Sequence, residues 1–431
     1  MEHANLIACH ECDRVFRRPP RLDGLTARCS RCGGRLSGSH QARPTIDSTC
    51  AMAVAALITF LIAQRFPIIA LKAQGVTSEA TLFDAVASLW AGDMRIVAVV
   101  VLFTTTVFPL AELLALLYVL LPLRAGKVPP CFRSAIRFLL WLRPWGMIEV
   151  FMLGVLVTTV KMVSLAQVIP GPALFAFGAL TVLLGAVSLF DPHRLWHACD
   201  EISAVDSATR SLPEPAPAQG FSAKHAGLLA CHTCGCVQVR QGGASHQSCQ
   251  RCSAPMHERR PGSLSRTAAL LLAAALLYIP ANLLPVMHST ALGRSEDDTI
   301  LSGVAYFWTS GDWGLATIVF VASVLVPMLK LAALVLLVFA AHRRSTWRPL
   351  ERTRLYRLVE RIGRWSMLDV FVVALTVALV HFGSFAVITA GPGALAFGAV
   401  VILTMIASMQ FDPRLIWDAV PDDVDSARNG A

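Results

Sequence analysis

A chain of 431 residues with 55% hydrophobic and 15% charged residues and a mean hydropathy of +0.59 is too apolar for an ordinary soluble enzyme and fits a membrane protein. Its formal charge of +9 would point a soluble protein toward nucleic acid, whereas in a membrane protein the Lys and Arg residues report first on which loops stay in the cytoplasm. Twelve cysteines do not make a secreted disulfide framework here, because eight of them fall into four Cys-x-x-Cys pairs.

In chain order, about 48 polar, Cys-rich residues precede the first apolar run, which is no signal peptide and is expected in the cytoplasm. Cys9, Cys12, Cys29 and Cys32 lie in this segment as two Cys-x-x-Cys pairs parted by a longer loop. Stretches of about 20 apolar residues, the length that crosses roughly 30 Å of hydrocarbon, then predict spans near Thr49 to Leu71, Ile96 to Leu123, Trp145 to Ile169 and Ala173 to Phe190. A Pro- and Ala-rich segment around Ser211 to Gly220 reads as a linker. Cys231, Cys234, Cys249 and Cys252 follow in the same pattern with a slightly shorter loop, and four more spans are expected near Thr267 to Met287, Leu315 to Ala341, Trp365 to Ala390 and Ala394 to Phe411. The predicted fold is an all-α polytopic membrane protein of eight transmembrane helices in two tandem four-helix repeats, each preceded by a small cytoplasmic zinc ribbon. The boundaries are 1–45 for the first ribbon, 46–199 for the first repeat, 200–225 for the linker, 226–262 for the second ribbon, 263–420 for the second repeat and 421–431 for the tail.

The duplication is legible residue by residue. Pro67 answers to Pro285, Trp90 to Trp308 and Pro109 to Pro327; Trp145-Gly-Met-Ile-Glu-Val-Phe151 answers to Trp365-Ser-Met-Leu-Asp-Val-Phe371; Gly171-Pro172, Phe190-Asp-Pro192 and Trp196 recur as Gly391-Pro392, Phe411-Asp-Pro413 and Trp417, all at a nearly constant offset. The loops after the second and sixth spans are basic, and eight arginines fall between Arg343 and Arg364, so these loops, both ribbons and both chain ends are expected in the cytoplasm. Each Phe-Asp-Pro reads as a helix start, with Asp as cap, Pro in the first turn and Trp196 or Trp417 at the lipid headgroups.

Paired Cys-x-x-Cys knuckles at this spacing predict a four-thiolate site in each module, two structural zinc ions in all, and a module of about 40 residues needs the metal to fold. Spacing alone does not separate zinc from iron in the same cage. Redox chemistry is the rival reading, although it needs no second pair. Charges inside the spans are the other chemical signal, since each costs about 2.5 to 3.5 kcal/mol at mid-bilayer. Glu112 and Lys330 stand three residues after Pro109 and Pro327, Glu149 and Lys161 lie in the third span, and Asp369 and His381 hold the matching places in the seventh. Contacts of Glu112 with Lys161 or Glu149, and of Lys330 with Asp369, are expected. They serve either as glue between helices or as a polar cavity or proton relay, for which His381 has the most suitable side chain. The prolines are expected to free carbonyls that Asn282 or Gln64 could satisfy. No phosphate-binding loop, His-Glu-x-x-His or Gly-x-Ser-x-Gly is visible, no nucleic-acid role is expected, and the chain is read as no enzyme.

The ribbon-plus-four-span plan, Pro-Met-Leu-Lys330, Trp365 to Phe371, the Gly-Pro-x-x-x-Ala-Phe-Gly segments at Gly171 and Gly391 and the Phe-Asp-Pro closings resemble the paraquat-inducible protein A family over essentially the whole chain. The resemblance implies an inner-membrane protein of the Gram-negative cell envelope that works with periplasmic MCE-domain tubes in intermembrane phospholipid transport, loading or receiving lipid. It places that role in the second half, at Lys330, Asp369 and His381, because Glu112 stands where the second half has Lys330 and a symmetric site is not implied. A membrane scaffold that only docks the tube, and a membrane redox protein, are the alternatives.

Overall fold

The computed structural model describes residues 6–17, 27–37, 45–73, 76–91, 95–163, 167–188, 195–196, 199, 221–240, 247–291, 294–311, 313–363, 371–372, 375, 381–382 and 386–421. The first Cys module consists of two short hairpins, β1 (Leu6–Ala8) with β2 (Val15–Arg17) and β3 (Ala27–Arg28) with β4 (Arg35–Ser37), each carrying one Cys-x-x-Cys pair in its turn.

Helix α1 (Ile46–Arg65) starts at Thr45, whose hydroxyl accepts the Ser48 N–H at 3.2 Å, and stops where Pro67 holds Phe66 extended. The chain then forms β5 (Ile69–Ala73) and β6 (Val76–Ala80), a short α2 (Leu82–Ala91) and the 30-residue α3 (Arg95–Arg124). Within α3, Phe103–Val107 widens into a π turn and the Phe108 N–H reaches back to Phe103 O, immediately before Pro109, which has no N–H to give. An amphipathic α4 (Phe132–Leu142), α5 (Ile148–Val163), β7 (Gln167–Pro170) and α6 (Pro172–Ser188) complete the first half. The second Cys module repeats the two hairpins as β8 (Leu228–Ala230) with β9 (Val237–Val239) and β10 (Gln247–Ser248) with β11 (Pro255–Met256). The second half runs through α7 (Ser263–Leu283), β12 (Met287–Ala291), β13 (Arg294–Asp298), α8 (Ile300–Thr309), α9 (Ala316–His342), α10 (Pro349–Gly363), β14 (His381–Phe382), β15 (Ala386–Ala390) and α11 (Pro392–Gln410). A second π turn, Val321–Leu325, precedes Pro327 in α9.

Among the described residues five helices, α1, α3, α7, α9 and α11, are long and apolar enough to cross a membrane, while α2, α5, α6 and α8 are apolar but shorter. The all-α class needs correction, because the structure is mostly helical but also holds small sheets. The apolar runs leave the helices and continue as strands, where Ile, Val and Thr favour the pleated backbone and a short apolar run carries no period to betray the switch. One antiparallel sheet has the order β6-β5-β7 and the other β13-β12-β15-β14. They join the far ends of α1, α5 and α6 and of α7 and α11, with Ile69 opposite Pro170 and Met287 opposite Ala390. His381, expected near the end of a seventh span, is therefore a strand residue opposite Val387.

The two Gly-Pro turns lock these sheets to the helices. A Cβ on Gly171 or Gly391 would stand 2.2 Å from Pro67 O or Pro285 O, so only glycine fits. Their N–H groups donate to Ile68 O at 3.0 Å and Val286 O at 2.8 Å. The two halves face each other across one continuous apolar core in which Phe151 and Phe371, the closing residues of the repeated motif, meet edge to face at 5.6 Å.

Candidate functional site

Each Cys module brings four sulfurs together. Cys9, Cys12, Cys29 and Cys32, and separately Cys231, Cys234, Cys249 and Cys252, form buried sets whose sulfurs all lie within 4.8 Å of one another. Cross-pair distances of 3.4 Å (Cys9 to Cys32, Cys12 to Cys29) and of 3.4 and 3.5 Å in the second set suit tetrahedral thiolate ligation, which spaces sulfurs by about 3.8 Å. The residue after the second Cys of every knuckle, Asp13, Gly33, Gly235 or Ser253, has a left-handed backbone with φ between 56° and 72°, which turns the chain so that both thiols face one point. Each set can hold one metal ion, whose chemistry would be structural. None of the eight thiols is more than 3% exposed, so neither set offers the accessible nucleophile that the redox reading requires. Cys236 stands outside the second set and receives a weak contact from Gln238 Nε2 at 3.9 Å.

The modules dock crosswise. The first packs on the second half: Arg357 of α10 grips the Glu11 carboxylate and donates to Cys32 O at 2.7 Å, and Arg31, inside the second knuckle, stacks on Trp417 at 4.8 Å and donates to Val420 O at 3.1 Å. The second packs on the first half, where Arg251, in the same knuckle position, lies 5.7 Å from the Trp196 ring and Arg133 of α4 donates to Ser253 Oγ at 3.2 Å. Trp196 and Trp417 are buried docking platforms at 2% and 7% exposure. Between the modules, Ala8, Val15, Ala223, Leu228 and Val237 form a small core of their own.

A charged cluster ties this assembly to the end of α11. Asp412 caps the turn Pro413–Ile416 as expected of its Phe-Asp-Pro motif, accepting Arg414 N–H at 3.1 Å, and its carboxylate also holds the Arg414 guanidinium at 2.9 Å. Burial opposes ionisation of Asp412, but the Arg414 hydrogen bonds prevail and hold its pKa down at about 2. Arg414 Nη2 reaches His232 Nε2 at 2.8 Å, and burial, reinforced by the nearby Arg414, holds His232 at about 3, hence neutral and accepting. Arg259 joins Asp13 at 2.8 Å to Asp418 at 2.6 Å. The Phe190-Asp-Pro192 counterpart lies outside the described residues.

Inside the spans, Lys330 is 3% exposed, and its Nζ approaches Gly363 at the end of α10 without a hydrogen-bond partner among the described residues. Asp369, its expected partner, lies outside the described residues. Glu112 reaches Gly146 and faces Arg143 and Glu149. Glu149 stands in the first turn of α5, and the side chain of Lys161, the other expected partner of Glu112, lies outside the described residues. Asn282 Nδ2 donates to Tyr278 O at 2.8 Å, which is not the carbonyl that Pro280 frees, Leu276 O, and both amide atoms of Gln64 lack a partner among the described residues.

The family profile described as paraquat-inducible protein A matches residues 46–200 and 264–421, each a set of helices following a Cys module. The chain belongs to the paraquat-inducible protein A family. It is 36% identical over 425 residues to the intermembrane transport protein PqiA of Escherichia coli K12, covering 97% of both chains. It is also similar to the lipophilic envelope-spanning tunnel protein A of the same organism, at 31% over 412 residues and 95% and 91% coverage. A probable intermembrane transport protein of Haemophilus influenzae is 31% identical over 422 residues, at 96% and 95% coverage. No solved structure matches. Membership makes the chain a membrane protein of a transport family, and the names of these relatives are those of transporters rather than enzymes. For this paraquat-inducible protein A family member, sequence reasoning missed Arg31, Arg251, Arg357 and Arg414, the residues that join the modules to the helices. The repeat did carry a signal for two of them, an arginine at the same knuckle position before Cys32 and Cys252.

Proposed function

We propose that this chain is the inner-membrane subunit of an intermembrane phospholipid transport system, loading or receiving lipid for a periplasmic MCE-domain partner. Similarity along nearly the whole chain to proteins named for intermembrane transport carries this reading. In it, both Cys modules hold zinc on the cytoplasmic side, in keeping with the arginines of α10 beside the first module. The two halves are tandem repeats that together cross the membrane eight times, the shorter α5 and α6 and the seventh span expected from the sequence adding to the five long helices. Lys330 and Asp369, with Glu112, Glu149, Lys161 and His381, are the polar groups of the transport path. A lysine only 3% exposed inside a span is the feature that draws the path to this point, because a buried ammonium there is costly and calls for water or a partner. Proton coupling then falls to Lys330, Asp369 and His381, the last on strand β14.

Photocrosslinking in cells with radiolabelled phospholipid tests this reading, with the reactive residue beside Lys330 and, as a control, at Met328 or Leu329, which are 53% and 59% exposed. Labelling at the interior position that falls in Lys330→Met supports a lipid path. Labelling confined to the exposed positions would leave a scaffold that docks its partner.

A further inference from the structure

α7 packs along α11 and diverges from α9, leaving between α7 and α9 a groove of about 860 Å³, within the range of roughly 300 to 1,000 Å³ typical of ligand sites. Leu272 and Ala275 form one wall, Val335 and Phe339 the other. Leu272, Val335 and Phe339 are 64%, 52% and 53% exposed, so the groove opens sideways along two spans, toward the surface that meets hydrocarbon. Its polar end lies next to the Cys modules, at Arg260, Ser265 and His342. Arg343 stacks on the lining residue Phe339 at 4.5 Å, Arg266 stands in the adjoining first turn of α7, and among the described residues no carboxylate lines the groove.

The corresponding place in the first half differs in its charges. There Asp47 at the start of α1 and Arg124 at the end of α3 form an ion pair at 2.8 Å. At the matching places of the second half stand Ser265 and His342, both lining the groove, and a serine gives His342 no carboxylate to pair with.

We propose that this groove binds one anionic glycerophospholipid from the leaflet on the Cys-module side, an acyl chain between α7 and α9 and the phosphate beside Arg260, His342 and Arg343. The lateral opening selects a molecule already in the membrane, the apolar walls a hydrocarbon chain, and the cationic rim an anionic headgroup. This site is separate from the polar groups around Lys330. The proposal rests on the transport reading only for its use as a loading position, and the binding itself is independent of it.

The test uses the full-length, metal-loaded protein in nanodiscs of phosphatidylcholine containing a small fraction of phosphatidylglycerol or phosphatidylcholine with a photoreactive acyl chain, labelled peptides being read by mass spectrometry. The expected result is labelling at 272–275 and 335–339 that exceeds labelling around the 72%-exposed Val182 of α6, and that is roughly fivefold stronger for phosphatidylglycerol for each basic side chain engaged. Ser265→Asp combined with His342→Arg installs the ion pair of the first half and should bring groove labelling down to the Val182 level; Arg343→Gln should weaken the headgroup preference roughly fivefold and keep the chain contacts. Equal labelling of groove and control by both lipids, or an ion-pair variant that labels like the unmodified protein with its metal content intact, would overturn the site. Either result leaves the crosslinks at Lys330, and with them the transport reading, to stand or fall separately.

Discussion

Asp412 and Arg414 show how one buried pair can hold a peripheral module to a helix. Both are almost fully buried, at 1% and 2% exposure, and Asp412 also accepts the Arg260 N–H at 3.1 Å, so removing its charge leaves a guanidinium without its main counterion. Asp412→Asn is expected to cost about 3 kcal/mol in thermal or denaturant unfolding, and adding Arg414→Met should recover part of that loss because no unpaired charge then stays buried. Equal losses in the single and double variants would refute this account. The pH dependence has a definite sign. With a folded value of about 2 against an ordinary 3.8, the carboxylate contributes fully above about pH 3.8 and loses its contribution as pH falls through about 2. Acid unfolding of Asp412→Asn should therefore lack this component, as a titration followed by tryptophan fluorescence can show.

At the scale of elements, the prolines and glycines of the repeat act through backbone hydrogen bonds. Pro109 and Pro327 each follow a π turn, and in α3 Thr104 and Thr105 donate to Val100 O and Val101 O at 2.7 and 2.6 Å, so the side chains supply bonds where the ladder loosens. Gly171 and Gly391 are under a harder constraint, for a Cβ at either would overlap a carbonyl oxygen of the chain leaving α1 or α7. Gly391→Ala should destabilise the second half by at least about 2 kcal/mol and loosen β15 from β12, a change visible as faster amide exchange in 287–291. Unchanged exchange there would mean that the turn yields without disturbing the sheet.

At the scale of the whole molecule, the crossed docking makes each metal centre a support for the opposite half. Cys29→Ser, which deprives the first module of a ligand, should expose Trp417 and open α10 to protease while α4 and Trp196 stay protected; Cys249→Ser should do the reverse. Chelation of both ions should release both sets of contacts and lower the unfolding temperature of the complete chain, read by limited proteolysis alongside metal analysis. Cleavage confined to the helices that follow the altered module in sequence would contradict the crossed arrangement.

Features closed within a few residues of chain were legible before folding. The cysteine spacing specified two four-sulfur sets, since a knuckle is a local structure closed by its own turn, and the apolar runs specified the long helices, since a span is a matter of length and hydropathy. The Phe-Asp-Pro motif specified the Asp412 cap for the same local reason. Three things emerged only with tertiary contact. The continuation of the apolar runs into β5, β7, β12 and β15 depended on strand partners far along the chain, as in the pairing of Ile69 with Pro170, and no local period records such a partner. The facing of the halves at Phe151 and Phe371 depended on packing between residues from different repeats. The crossing of the Cys modules depended on Arg31, Arg251 and Arg357 finding aromatic and carboxylate partners in the other half, and a surface arginine carries no mark of its partner until the chain is folded.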